Sequence, residues 1–188
     1  MIELEVLVEV FDSYSKMIKI LSDFNFLKEE HIMDTYFYDP LRENLKPNKN
    51  GKTSECLRIR NTNDSTKITY KKDVYEKSIW QYSNENELTV ENPIQMKEIL
   101  INLGFKELLT INNLRRYYVY QDYEIVLEIV ENLGIFMEIE LKSKVQENHI
   151  KEKRDEINHF IRSLNINVSP ELNAGKPELY IIKHSISV

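Results

Sequence analysis

The sequence predicts an α+β fold, an eight-stranded antiparallel β-barrel or tunnel with helices packed outside. Three observations carry this expectation. Eight segments alternate in side-chain character with the period of two that a strand imposes. Only three segments carry a stripe of helical period. In strand after strand one face is aliphatic while the other bears paired charges.

The strand candidates are residues 2–9, 32–39, 54–61, 66–72, 79–90, 111–121, 124–131 and 135–142. Eight antiparallel strands with short turns can close on themselves and remove their edges. The first helix is expected over residues 12–24, where Tyr14, Met17, Ile18, Leu21 and Phe24 share a face and Asp12 or Ser13 can cap. The second starts at Asn92-Pro93, a cap followed by a proline at the first helical position, and stops at Gly104. The third covers residues 146–164, with Ile157, Phe160, Ile161 and Leu164 inward. The segment 44–52 reads as a long turn between strands. The first two helices end alike, Leu21-Ser-Asp-Phe-Asn-Phe26 against Leu100-Ile-Asn-Leu-Gly-Phe105, with Asn25 and Gly104 each suited to a left-handed stop. This hints at two related halves.

The charged faces bear on function. Glu3/Glu5, Glu85/Glu87 and Glu138/Glu140 are glutamate pairs spaced by two, Arg58/Arg60 is an arginine pair, and Lys71 shares its face with Lys67 and Thr69. A single such pair reads as the solvated face of a half-exposed sheet. Three acidic pairs beside an arginine pair suggest a lumen instead, because the helices need the aliphatic face. Facing carboxylates repel unless cations lie between them, and hard divalent ions such as Mg²⁺ or Mn²⁺ take such oxygen ligands. Guanidinium and ammonium groups on the same lining suit phosphate oxygens. The combination points to a polyphosphate bound with metal.

The remaining composition mainly excludes. The 188 residues fit a single domain over residues 1–188, and net charge is −6, against a general nucleic-acid binder. No apolar run reaches the length of a membrane span, and no basic segment followed by an apolar one opens the chain, so no membrane partner and a cytoplasmic location are expected. One cysteine, Cys56, precludes an internal disulfide framework. The four glycines form no phosphate loop, and His31, His149, His159 and His184 lack metal-ligand spacing. Trp80 and Tyr117, Tyr118 and Tyr120 read as packing, as does Tyr180 near the end.

Several segments, in order, resemble the CYTH family of triphosphate tunnel metalloenzymes. Glu3-Leu-Glu5 looks like its ExExK opening, Asp34-Thr-Tyr-Phe37 like its DTYF segment, Leu57-Arg-Ile-Arg60 like its LRIR strand, and Ile68-Thr-Tyr-Lys71 like the strand ending in a phosphate-binding lysine. Most specific is Leu127-Glu-Ile-Val-Glu-Asn-Leu-Gly-Ile-Phe-Met-Glu-Ile-Glu140, similar to LDxVxxLGxFxEIE. The class IV adenylate cyclase branch is the most similar. The resemblance implies an eight-stranded tunnel in which Arg58, Arg60, Lys71 and Arg115 hold phosphates and Glu3, Glu5, Glu138 and Glu140 hold Mg²⁺ or Mn²⁺. Glu85, Glu87 and Glu128 would line the tunnel. The partner would be a nucleoside triphosphate or other polyphosphate, and a homodimer is left open.

Leu7 stands where the family's opening motif ends in lysine, Asn113 where a second lysine is expected, and Ser83 where an arginine is often found. Two function classes follow. One is a metal-dependent enzyme, either an adenylate cyclase releasing pyrophosphate or a triphosphatase. The other is a non-catalytic nucleotide- or polyphosphate-binding protein that has lost tunnel cations.

Overall fold

The computed structural model describes residues 2–77, 79–143 and 145–186, without the side chains of Ile2, Glu3, Ile79 and Glu147. In chain order the elements are β1 (Ile2–Glu3), β2 (Glu5–Glu9), α1 (Tyr14–Leu21), β3 (Asn25–Tyr38), β4 (Glu55–Asn61), β5 (Thr66–Glu76), β6 (Ile79–Thr89), α2 (Pro93–Asn102), β7 (Lys106–Tyr120), β8 (Tyr123–Val130), β9 (Gly134–Leu141), α3 (Ile150–Ser163) and α4 (Lys176–His184). The fold is α+β with antiparallel strands, as expected. Every strand candidate is present, the first broken at Leu4. Among the described residues no helix is long and apolar enough to cross a membrane.

The chain forms two compact units, one of His31–Asn112 with the end of the chain from Ala174, the other of Ile2–Glu30 with Asn113–Asn173. The long strands β3 and β7 run through the boundary in sequence. In the first unit the strand order is β6-β5-β4-β3. Phe37, Leu45, Leu57, Ile59 and Leu100 form its core, with Ile68, Tyr70, Met96 and Phe105 packed against it. Leu100 and Met96 come from α2, so the helix covers the aliphatic face of β4 and β5. By alternation, Arg58, Arg60, Thr69 and Lys71 lie on the other face. α2 begins as expected, Asn92 accepting from the Gln95 N–H at 3.0 Å with Pro93 next. It stops at Gly104, whose φ of +96° suits glycine.

In the second unit the order is β7-β8-β9-β2. Leu4, Val6, Val8, Ile125, Leu127, Met137 and Ile139 are buried, as are Met17 and Leu21 of α1 and Ile157 and Ile161 of α3. α1 is capped by Ser13, which accepts from the Lys16 N–H. Residues 167–172 run beside β2. The Phe11 N–H donates to the Asn167 carbonyl, and the Ser169 and Leu172 N–H groups donate to the Glu9 and Leu7 carbonyls at 2.9 and 2.8 Å. The tail thereby covers strand edge that would otherwise be open to pairing.

Three expectations change. Asn25 does not stop α1 in a left-handed conformation. The helix ends at Leu21 because the Ser22 hydroxyl and N–H both return to the Lys19 carbonyl, and Asn25 opens β3 instead. Strands β3 and β7 begin several residues earlier than the alternation predicts. Residues 25–29 are all exposed, so burial imposes no two-residue period there. Finally, α4 carries no apolar stripe to read, its buried residues being Lys176, Glu178 and Ile181. It forms behind Gly175 with Pro177 in its first turn and the Glu178 carboxylate accepting from the Gly175 N–H. It packs on the 44–52 turn at Gly51, where φ is +74° and an added Cβ would lie 3.0 Å from the Ile181 side chain.

Candidate functional site

In the first unit the register sets a charged face row by row. Asp34 lies opposite Arg60 and Tyr36 opposite Arg58 across β3 and β4. Arg58 lies opposite Thr69, and Cys56 opposite Lys71, across β4 and β5. Lys71 lies opposite Glu85, and Thr69 opposite Glu87, across β5 and β6. Arg60 is paired through a fork, its Nε and Nη2 donating to the two Asp34 oxygens at 2.7 Å each. Glu87 is also engaged, accepting from Lys67 Nζ at 2.5 Å and the Thr69 hydroxyl at 3.1 Å. Burial would raise the Glu87 pKa, but those bonds and the Arg58 charge outweigh it and hold the carboxyl below its usual range.

Arg58 and Lys71 are held differently. Both approach the single carboxylate of Glu85, each only to 3.9 Å. The Arg58 side chain is 15% exposed, and its Nε is buried without a hydrogen-bond partner. Burial disfavours its charge, yet Asp34, Tyr36, Cys56 and Glu85 together raise its pKa, so it stays a guanidinium. Glu85 thus stands within 3.9 Å of two cations. Beside them, burial pushes the Cys56 thiol up to about 11, an unreactive packing cysteine. Ser83 is fully buried, donating to Asp73 at 2.7 Å and accepting from the Trp80 indole N–H at 3.1 Å. The position expected to carry an arginine therefore belongs to a small internal network, and Trp80 packs as expected.

In the second unit Arg115 donates from Nε to Glu128 at 2.9 Å and lies 3.6 Å from Glu138 through Nη2. Glu128 has 0% exposure, so it holds Arg115 from within. Across β2, β9 and β8 the residues Glu5, Glu140 and Glu124 stand directly opposite one another. One row along, Glu138 lies opposite Leu7 and Val126. Leu7 is buried, so the missing lysine is replaced by packing. Asn113, two residues before Arg115 and 3% exposed, has its amide oxygen buried without a partner. The Glu3 side chain lies outside the described residues.

The carboxylate row offers hard oxygen donors of the kind a divalent ion takes, so this donor set fits Mg²⁺ or Mn²⁺ in kind. Among the described residues, no three His, Cys, Asp or Glu side chains are gathered into metal-holding geometry.

Two contributors escaped the sequence. Asp34 stood in a recognised segment without a role, because its partner Arg60 is 26 residues away and only strand register joins them. Glu124 shares a face with Glu128, but Val126 between them breaks the spaced-by-two pattern that marked the other pairs.

The CYTH domain family model matches residues 1–169. The chain belongs to the CYTH family. Among curated proteins, "Putative adenylate cyclase MJ0240" of Methanocaldococcus jannaschii is 33% identical over 168 residues, covering 88% of this chain and 91% of that protein. Among solved structures, the CYTH chain is similar to PH1819 of Pyrococcus horikoshii, at 27% identity and a TM-score of 0.78, covering 95% of this chain and 99% of that one. HpAC1 of Hippeastrum, described as having a dominant triphosphatase activity, has a TM-score of 0.65 at 17% identity, covering 99% of this chain and 97% of that one. At that identity the likeness is one of fold.

Proposed function

We propose that this CYTH protein is a metal-dependent enzyme acting on a triphosphate, with a nucleoside triphosphate such as ATP or an inorganic polyphosphate as substrate. The observation that carries the reading is Arg58, an enclosed guanidinium whose buried Nε has no hydrogen-bond partner, with Lys71 beside it on the same face. Phosphate oxygens can come closer than the Glu85 carboxylate and give Arg58 Nε the acceptor it lacks. Arg60, fixed by Asp34, keeps positive charge beside them. In the second unit the proposed phosphate-binding residue is Arg115, held by Glu128 and Glu138. Glu3, Glu5, Glu138 and Glu140 are the proposed holders of Mg²⁺ or Mn²⁺, which would supply charge neutralisation on the phosphate oxygens. Glu85 then positions Arg58 and Lys71, and Glu87 and Glu128 serve as internal counter-charges.

Two reactions suit such a site. In cyclisation the ribose 3′-oxygen attacks the α-phosphorus, the bond to the β-phosphate oxygen breaks, and pyrophosphate leaves as the hydroxyl loses its proton. In hydrolysis, water attacks the terminal phosphorus and orthophosphate is released. The name of the M. jannaschii relative favours the first. The test is incubation with ATP, inorganic triphosphate and thiamine triphosphate, each with Mg²⁺ or Mn²⁺, measuring cyclic AMP, pyrophosphate and phosphate. Turnover that disappears in Glu138→Ala supports the enzyme. A protein that turns over none of the three contradicts it.

The second reading, a non-catalytic binder of nucleotide or polyphosphate, is favoured by the buried Leu7 and by Ser83 within its network. Ligand-induced rise in melting temperature without turnover would select it. The cytoplasmic location, and a homodimeric state as an open possibility, accompany either reading.

A further inference from the structure

We propose that Asn113 is a specificity-determining residue whose amide oxygen accepts a hydrogen bond from an O–H group of the bound triphosphate complex. This rests on the triphosphate reading above and says what kind of ligand atom lies at one point of the site. Asn113 shares a face of β7 with Arg115, whose contact with Glu128 fixes which face that is. Its neighbour across β8 is Val130, which offers no side-chain donor. At 3% exposure its Oδ1 is a buried acceptor with no partner. A buried carbonyl left unsatisfied is costly, and only a donor relieves it. Ionised phosphate oxygens are acceptors only, so they cannot serve. A lysine here would draw in a phosphate, whereas this asparagine asks for a hydroxyl. The hydroxyl has two sources, a ribose hydroxyl of a nucleotide or a water brought in on the divalent ion. Asn113 thereby shifts preference from bare polyphosphate toward a hydroxylated or hydrated ligand.

The test is isothermal titration of wild type and Asn113→Leu with ATP, 2′,3′-dideoxy-ATP and inorganic triphosphate, each in Mg²⁺ and in EDTA. Leu removes the orphan oxygen and keeps the volume, so the variant is expected to melt no lower than wild type. If it fails to fold, Asn113→Ala replaces it. With ribose as donor, the variant binds ATP about three- to tenfold more weakly and the other two unchanged. With metal-borne water as donor, it loses affinity for all three in Mg²⁺ and for none in EDTA. Either result supports the assignment. Unchanged affinity for every ligand overturns it. So does a loss that is equal for all three ligands and the same with and without Mg²⁺, since the amide would then be donating to phosphate or merely filling space. Wild-type protein that binds none of the three overturns the triphosphate reading itself, a result distinct from normal binding that Asn113 does not influence.

Discussion

Asp34 and Arg60 face each other across β3 and β4 and are joined by two parallel hydrogen bonds of 2.7 Å, with Asp34 wholly withdrawn from water. Removing one partner of such a pair strands the other charge. Asp34→Ala is expected to lose about 3 kcal/mol of stability, read as a lowered urea midpoint. Arg60→Lys keeps the charge but loses the fork, and falls between the two. A midpoint for Asp34→Ala matching wild type would show the pair to be idle.

Arg58 sits in the same strand and predicts the opposite balance. Its ion pair with Glu85 is long, at 3.9 Å, and its Nε lacks an acceptor, so Arg58→Ala is expected to cost less stability than Asp34→Ala. Loss of a charge-assisted contact worth about 1.5–3 kcal/mol should weaken inorganic triphosphate binding roughly ten- to hundredfold. Titration calorimetry and a urea melt on the same variant separate the two effects. A variant that unfolds readily yet binds normally would reverse the roles given to Arg58 and Arg60.

The contrast between those two arginines also shows where sequence reading stops. Alternation places Arg58, Arg60 and Lys71 on one face, and Leu57, Ile59 and Ile68 on the face that α2 covers, because a strand's period is fixed by backbone geometry. It does not say which carboxylate each cation meets. That depends on the register between paired strands, as with Lys71 and Glu85 or Arg115 and Glu128. Ser83 is legible only as a missing arginine until β6 brings it against Asp73. α4 is hidden for another reason, since of its buried residues Lys176, Glu178 and Ile181 only the last is apolar.

The row Glu5, Glu140 and Glu124 predicts a metal-linked stability change. Like charges directly opposite on neighbouring strands destabilise a sheet by a few tenths to about 1 kcal/mol. Glu124→Gln is therefore expected to melt at or above wild type in EDTA. The rise in melting temperature that Mn²⁺ gives wild type should shrink in the variant, because a ligand stabilises only in proportion to its affinity. An undiminished Mn²⁺ response would remove Glu124 from the set of metal donors.

Glu178 supplies the pH dependence of the first unit. It is 3% exposed at the start of α4 and accepts from the Thr53 N–H at 2.9 Å and the Gly175 N–H at 3.3 Å. Burial pushes its carboxyl up to about 7. Asp73 adds to the rise, while the two N–H bonds and Lys52 oppose it. The folded protein thus holds this proton more tightly than the unfolded chain, whose carboxyl titrates near 4.5. The resulting stability is complete below about 4.5 and declines as pH rises through about 7. A shift of this size corresponds to roughly 3–4 kcal/mol in full, of which roughly 2–3 kcal/mol falls between pH 5 and pH 8. Between pH 5 and pH 8 wild type should lose that much relative to Glu178→Gln, which cannot ionise and keeps one acceptor for the Thr53 N–H. Urea melts of both proteins at the two pH values read it directly. Parallel stability profiles would mean that Glu178 titrates normally and that α4 is anchored by Ile181 and the Gly51 turn alone.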